Sequence, residues 1–169
     1  MPLVSIIMGS ASDIKVMSKA AAVLEEFGVD HEMRIISAHR EPDQLFEWAG
    51  SLEDRGVKVV IAGAGMAAHL PGMISALFPL PVIGVPLSGG LPGGVDALLS
   101  ELQMPPGVPV AVVAVDGAKN GALMALRILA ASDPEILEKL KGYTRRMCED
   151  VQEKDRLLQE KGYKGFGEN

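Results

Sequence analysis

Short apolar runs alternate along the chain with longer segments in which apolar positions recur at helical spacing. Residues 3–8 form the first run, which is apolar except for Ser5 and stops at Gly9. A short apolar run that ends at glycine is typical of a strand buried on both faces of a parallel sheet. The same reasoning predicts four further strands, at residues 31–36, 57–62, 81–85 and 108–115.

Helices are predicted between and after these strands. The first is marked by one apolar face, formed by Val16, Ala20, Val23, Leu24 and Phe27. Ser12 or Asp13 would cap its start, and Gly28 would end it. Further helices are expected at residues 41–56, 67–77, 94–102 and 118–131. A capping box at residues 132–135, with a proline just inside, predicts a last helix over about residues 133–161, weakened at Gly142.

Strands that alternate with helices predict βαβ units with right-handed crossovers. The fold class is therefore a three-layer, doubly wound α/β domain with a parallel sheet, flavodoxin-like or Rossmann-like. No composition shift or repeat marks a boundary, so we expect one domain over residues 1–169 with a long C-terminal helix. Ligands of such sheets bind at the carboxyl ends of the strands. Four segments then carry the candidate chemistry: residues 9–13, 37–40, 63–72 and 86–95.

Composition and charge narrow the class of function. The formal net charge is −6 and the pI is about 5.1, whereas nucleic-acid-binding proteins usually carry a basic face. We therefore expect no nucleic-acid partner, although a few local cations and backbone N–H groups suffice for a small anion. Cys148 is the single cysteine, which is compatible with a reducing compartment. With no visible signal peptide or long apolar span, we expect a cytoplasmic protein with no membrane partner.

The segment at residues 9–13 joins a strand to a helix and carries groups suited to an anion or a sugar. Gly9 allows a tight turn, the hydroxyls of Ser10 and Ser12 add donors, and helix N-terminal amides face outward. The Asp13 carboxylate would repel phosphate but could hold a ribose diol. An ordinary helix cap at Ser12 or Asp13 explains the same residues equally well.

The segment Ser37-Ala38-His39-Arg40 places a histidine beside an arginine after the second strand. The Arg40 guanidinium binds phosphate or carboxylate through a bidentate fork. The His39 imidazole titrates near neutrality and is suited to giving or taking a proton. The alternative is a histidine that caps the loop and an arginine exposed to solvent.

Small residues dominate the segments after the third and fourth strands. The first of these runs contains Gly63, Ala64, Gly65, Met66, Ala67, His69 and Leu70. Its small side chains allow a ligand to approach the backbone, but its Gly-x-Gly pair lacks the rest of a dinucleotide fingerprint. His69 would contact a substrate or hold the loop. Residues 86–94 carry four glycines and two prolines, which predict a mobile cover loop.

In this order and at these separations, the segments resemble class I PurE, the bacterial N5-carboxyaminoimidazole ribonucleotide mutase family of purine biosynthesis. The matching motifs are Gly9-Ser-x-Ser12-Asp13, Ser37-Ala-His-Arg40, Ala62-Gly-Ala-Gly65, Ala67-Ala-His-Leu-Pro-Gly72, Gly84-Val-Pro86 and Gln103-Met-Pro105. The resemblance covers nearly the whole chain. It implies that a carboxyl group moves from the exocyclic nitrogen to ring carbon C4, by decarboxylation and recarboxylation.

The resemblance also implies the roles of individual residues. His39 would be the proton-transfer group, and Ser10, Asp13 and Arg40 would bind the ribose phosphate. The substrate-binding set would be Gly9, Ser10, Ser12, Asp13, Ser37, Ala38, Arg40, Gly63, Ala64, Gly65, Met66, Ala67, His69 and Leu70. The family needs no metal or organic cofactor, so none is expected. It implies a homo-octamer acting on a small-molecule nucleotide.

Two positions depart from the family pattern, and two other functions compete. Met66 stands where the family usually has glycine, and Gly89 where its cover loop usually has serine. Arg40 and His69 favour class I over class II relatives, which carboxylate aminoimidazole ribonucleotide directly with carbon dioxide and typically have lysine in place of the arginine. The remaining alternative is a non-catalytic nucleotide-binding module, which predicts that His39→Asn keeps function.

Overall fold

A five-stranded parallel sheet forms the centre of the computed structural model, which describes residues 1–166. The strands are β1 (Val4–Met8), β2 (His31–Ile35), β3 (Val59–Gly65), β4 (Val82–Leu87) and β5 (Ala111–Val112). The helices are α1 (Ile14–Phe27), α2 (Pro42–Gly50), α3 (Leu70–Leu77), α4 (Val95–Leu102), α5 (Ala118–Leu129) and α6 (Pro134–Gly165). The predicted α/β class is confirmed.

The strand order is β2-β1-β3-β4-β5. This is the flavodoxin-like order, so the structure decides between the two arrangements that the sequence left open. Strand β1 lies between two neighbours, and its Val4 pairs with His31 of β2 and Val59 of β3. All five residues of β1 are buried, as the continuous apolar run predicts.

The two faces of the sheet are covered by different helices. On one face, side chains of β3 such as Val60 and Ala62 belong to the same buried cluster as Trp48 of α2 and Ile74 of α3. On the other face, helices α1 and α5 approach closely because glycines leave room. Ile61 lies between Val60 and Ala62 on β3, so its side chain points to this second face. A Cβ on Gly121 of α5 would lie 3.2 Å from a methyl group of Ile61.

A charged cluster fixes the edge strand β2. The Glu32 carboxylate accepts hydrogen bonds from Ser5 Oγ at 2.8 Å and from Trp48 Nε1 at 3.3 Å, and it pairs with Arg55 at 2.6 Å. Burial by itself raises the pKa of Glu32, but the Arg55 and Ser5 hydrogen bonds, the Arg55 charge and the Trp48 hydrogen bond outweigh it and hold that pKa below its usual value. The cluster joins β1, β2 and α2, and so anchors the loop between β2 and α2.

Several element boundaries differ from the predicted ones. Strand β3 continues to Gly65, beyond the predicted end at residue 62, because β4 pairs with it as far as Leu87. Helix α3 accordingly begins at Leu70 rather than at residue 67. Helix α2 ends at Gly50 and gives way to turns, where Ser51 Oγ donates to the Trp48 carbonyl at 2.7 Å. Strand β5 is only two residues long.

Residues 1–129 form one compact unit, and a second unit begins at Ala130 and consists mainly of α6. The Asp133 side chain caps α6 by accepting from the amides of Glu135 at 2.9 Å and Ile136 at 3.2 Å. The predicted weakening at Gly142 is wrong, since non-helical angles inside α6 occur at Gly162 instead. Among residues 1–166, no helix combines the length and apolar character needed to cross a membrane. The single domain over residues 1–169 stays a prediction.

Candidate active site

The candidate site lies where the carboxyl ends of β1, β2, β3 and β4 meet. A cavity of about 630 Å³ opens there, within the size range of small-molecule sites. It is lined by Gly9, Ser10, Ser12, Asp13, Ser37, Ala38, His39, Arg40, Ala64, Gly65, Met66, Ala67, His69, Leu70, Leu87, Ser88 and Gly89. All four segments that were predicted separately along the chain therefore contribute residues to the lining of one cavity.

Gly63 is the one predicted site residue that does not line this cavity. It lies inside β3, and a Cβ added to it would collide with the Met17 side chain of α1. Three lining residues were not predicted as binding residues: Leu87, Ser88 and Gly89. The glycine-rich run that begins there did predict a cover loop, which is the signal that pointed to them.

Two histidines face each other inside the cavity. His39 Nε2 lies 2.7 Å from His69 Nδ1, and the rings meet edge to face with centroids 4.9 Å apart. At this distance one nitrogen must donate a hydrogen to the other, because two bare lone pairs or two N–H groups would repel. His39 comes from the loop after β2, and His69 directly precedes α3. The contact joins two segments that are 30 residues apart in the sequence.

Arg40 links the loops that follow β1 and β2. Its Nε donates to Ser37 Oγ at 3.0 Å, and its Nη2 donates to the Gly9 carbonyl at 3.0 Å. A guanidinium has five N–H donors, so these two bonds hold the side chain in place and leave further donors for an anion in the cavity. The arrangement places a permanent positive charge beside the two histidines.

The loop after β1 is held by its own serines. Ser10 Oγ accepts from the Ser12 amide at 3.3 Å and from Ser12 Oγ at 2.9 Å, which caps a short 3-10 turn. The predicted cap by Ser12 or Asp13 is wrong in detail, because Asp13 makes no side-chain cap bond to α1 and Ser10 does the capping one turn earlier. The Asp13 carboxylate therefore lines the cavity without being used as a helix cap.

The cover loop is tied down at both ends. The Ser88 amide donates to Asp116 Oδ1 at 3.0 Å, and Ser88 Oγ donates to the other oxygen of the same carboxylate. Further along, the Leu91 amide donates to Asp96 Oδ2 at 3.1 Å. Between these two ties, Gly89 has the positive φ of 155° that glycine allows. The start of the loop therefore forms one wall of the cavity, and hydrogen bonds at Ser88 and Leu91 hold the loop on both sides of Gly89.

The whole chain is similar to known proteins. The sequence model of the AIR carboxylase family matches residues 3–150. The N5-carboxyaminoimidazole ribonucleotide mutase of Pyrococcus horikoshii is 56% identical over 98% of this chain and 93% of that protein. The mutase of Thermotoga maritima is 54% identical over 98% of this chain and 97% of that protein.

A solved structure shares the fold. The crystal structure of Treponema denticola PurE has a TM-score of 0.85 and 34% sequence identity, and the match covers 94% of this chain and 99% of that chain. The predicted resemblance to PurE is thus confirmed by a family model over most of the chain, by relatives of similar length and by the fold. The chain belongs to the AIR carboxylase family.

Proposed function

We propose that this protein is an N5-carboxyaminoimidazole ribonucleotide mutase that moves a carboxyl group from N5 to C4 of its substrate in purine biosynthesis. The relatives named as mutases, similar over nearly their whole length, support this activity. The observation that carries the proposal is the His39–His69 pair, 2.7 Å apart, in a cavity that also holds the Arg40 guanidinium. That combination supplies a proton-transfer group beside an anion-binding group.

The proposed reaction has two half-steps that share one proton. In the first, the bond between N5 and the carboxylate carbon breaks, carbon dioxide leaves, and the electron pair stays on nitrogen, which takes a proton from His39. In the second, C4 attacks the same carbon dioxide, a carbon–carbon bond forms, and the C4 proton returns to His39. Atoms and protons balance within the site, so His39 ends each turnover in its starting state.

Substrate binding is assigned to groups that surround the histidines. The Arg40 side chain and the Ser10 hydroxyl would bind the anionic phosphate, and the Asp13 carboxylate would bind ribose hydroxyls, since all three residues line the cavity. The small residues at the end of β3 and after it would wall the carboxylate and carbon dioxide. The rest of the proposed binding set is Gly9, Ser12, Ser37, Ala38, Ala64, Gly65, Met66, Ala67, His69 and Leu70.

A direct carboxylase is the second candidate, favoured by the description of the family itself as AIR carboxylase. The two are separated by supplying the N5-carboxylated nucleotide in buffer stripped of bicarbonate and following formation of the C4-carboxylated product. The mutase forms product under these conditions. Turnover confined to the uncarboxylated nucleotide with added carbon dioxide would replace the mutase proposal by the carboxylase.

Substitution of His39 separates an enzyme from a nucleotide-binding module. His39→Asn keeps a polar side chain of similar reach but cannot carry the proton, so kcat is expected to fall by about 10²–10⁴-fold. Binding of aminoimidazole ribonucleotide, measured by calorimetry, should change little. Unchanged turnover in the variant would rule out His39 as the proton carrier.

The assembly and cellular location proposed here follow from the family and from the surface. A homo-octamer is implied by the resemblance to the family. Contact between subunits is supported by an apolar stripe on α4, in which Val95, Leu99 and Leu102 are each 47–52% exposed. Light scattering coupled to size exclusion measures the subunit count.

A cytoplasmic location is supported by the free, exposed thiol of Cys148 and is tested by fractionation. The net charge of −6 supports a small-molecule rather than a nucleic-acid partner.

A further inference from the structure

Two non-glycine residues among residues 1–166 have positive φ, and both lie beside the cover loop. They are Met66, with φ 54°, and Asp116, with φ 56°. Asp116 accepts hydrogen bonds from Ser88, at the start of the loop. Met66 reaches the middle of the loop, since its Cγ lies 3.1 Å from the position that a Cβ would take on Gly90. Backbone conformations of this kind are retained where the surroundings demand them, often at functional sites.

Met66 is also the one long side chain in a run of small residues. All residues from 62 to 68 except Met66 are alanine or glycine. Its thioether therefore projects from a wall that is otherwise made of backbone and methyl groups. The Met66 side chain lines the cavity, and its backbone lies in the segment that joins β3 to α3.

Exposure distinguishes Met66 from the two leucines of the cavity. Among the described residues that line it, Leu70 and Leu87 are each 3% exposed, whereas Met66 is 56% exposed. The two leucines are already packed in the core and have no surface left to offer a ligand. Met66 alone of these three can bury further apolar area when a ligand binds.

We propose that Met66 is a specificity-determining residue whose thioether side chain covers the imidazole ring of the bound nucleotide and retains carbon dioxide between the two half-steps. The inference rests on the proposed mutase function. A methionine has three flexible torsions and a polarizable sulfur that makes favourable contacts with aromatic rings. Carbon dioxide is small and uncharged, so only a closed apolar wall keeps it near C4. If it escapes, the site is left with aminoimidazole ribonucleotide, and the turnover yields no carboxylated product.

The experiment measures how each turnover of the N5-carboxylated nucleotide divides between these two products. Met66→Ala removes the cover, and Met66→Leu keeps most of its apolar volume. We expect the ratio of uncarboxylated to C4-carboxylated product to rise by roughly 2–10-fold in the alanine variant, the range of a sulfur–aromatic contact. The ratio in the leucine variant should stay near that of the unmodified protein. Met124→Ala is the matched control, because Met124 is 41% exposed on α5 and does not line the cavity.

A binding measurement keeps the inference separable from the proposed function. Calorimetric titration with aminoimidazole ribonucleotide should show weaker binding to Met66→Ala than to the unmodified protein, and it needs no turnover. Met66→Gly gives a second variant that folds readily, since glycine adopts positive φ without strain. Equal product ratios and equal affinities in all Met66 variants would overturn the inference while leaving the mutase intact. An unmodified protein that forms no carboxylated product would instead overturn the proposed function, and the affinities would still decide the role of Met66.

Discussion

The Nε2 atom of His39 lies 2.7 Å from the Nδ1 atom of His69, although the two residues belong to loops on different strands of the sheet. The contact fixes which ring nitrogens face each other, and only one of them carries a hydrogen. Either His39 Nε2 or His69 Nδ1 carries that hydrogen, so the tautomers of the two rings are coupled. The proton transfer proposed for His39 depends on which of its ring nitrogens carries the hydrogen.

Replacing His69 tests its role as a positioning residue. His69→Leu removes the hydrogen bond, and we expect kcat to fall by roughly 2–10-fold, the value of one neutral hydrogen bond. His69→Asn keeps an amide near the position of Nδ1 and should recover part of the loss. Nitrogen-15 NMR of the His39 ring should show a mixture of tautomers in the leucine variant and one dominant tautomer in the unmodified protein. A single tautomer in both proteins would show that His69 does not position His39.

Arg40 is expected to act mainly on substrate binding. Its guanidinium group is oriented by hydrogen bonds to Ser37 and to the Gly9 carbonyl. Arg40→Lys keeps the positive charge but loses the planar set of N–H donors. KM should rise by roughly 10–100-fold, the range for hydrogen bonds to charged groups, with a smaller change in kcat. Arg34→Lys is the control, because Arg34 lies on β2 outside the cavity. A fall in kcat at unchanged KM would place Arg40 in the chemical step instead.

The sequence predicted the position of the site better than its internal contacts. Apolar runs predicted five strands, and the carboxyl-end rule then predicted that residues 9–13, 37–40, 63–72 and 86–95 lie at one edge of the sheet, where the cavity is found. The His39–His69 contact could not be predicted, since its partners are 30 residues apart and depend on how far β3 extends. That extension is set by pairing with β4, because the small residues at 62–65 have little strand preference of their own.

The hydrophobic pattern also did not predict the backbone conformation of Met66 or the burial of Glu101. The positive φ of Met66 is imposed by the turn between β3 and α3, in a residue type that does not favour it. Glu101 falls within a predicted helix as an ordinary polar residue, yet it is 1% exposed. Helical periodicity shows which positions share a face, but the depth of each position depends on neighbours that only the fold brings together.

The cluster around Glu32 is expected to stabilise the protein at neutral pH. Its folded-state pKa lies below the ordinary value of 4.5, so its contribution is fully present above that value and is lost as the pH falls through the folded pKa. Glu32→Gln should lower the free energy of unfolding at pH 7 by about 1.5–3 kcal/mol. The difference in unfolding free energy between the variant and the unmodified protein should become smaller in urea titrations below pH 4, where Glu32 begins to be protonated. Glu153→Gln, in an exposed pair with Arg156 on α6, is the control and should change little.

Glu101 is expected to have the opposite effect on stability. Its two carboxyl oxygens are buried without a hydrogen-bond partner, and one of them occupies the space above Gly84 of β4. Burial raises the pKa of Glu101 to about 9 from its ordinary value of 4.5. The folded protein therefore keeps this carboxyl protonated between these two values, while the unfolded chain ionises it. Across that window a rising pH favours the unfolded chain, so the contribution of Glu101 is least unfavourable below pH 4.5.

Two substitutions separate the charge of Glu101 from its burial. The glutamine of Glu101→Gln cannot ionise. As the pH rises, the unfolding free energy of this variant should therefore increase relative to that of the unmodified protein, by at most about 1.4 kcal/mol per pH unit. Urea titrations at pH 5, 7 and 8.5 measure that slope. Glu101→Leu also removes the unpaired polar group and should stabilise the protein by about 1–3 kcal/mol at pH 7. A difference between glutamate and glutamine that stays constant over this pH range would mean that the carboxyl is already ionised in the folded protein and that burial does not raise its pKa.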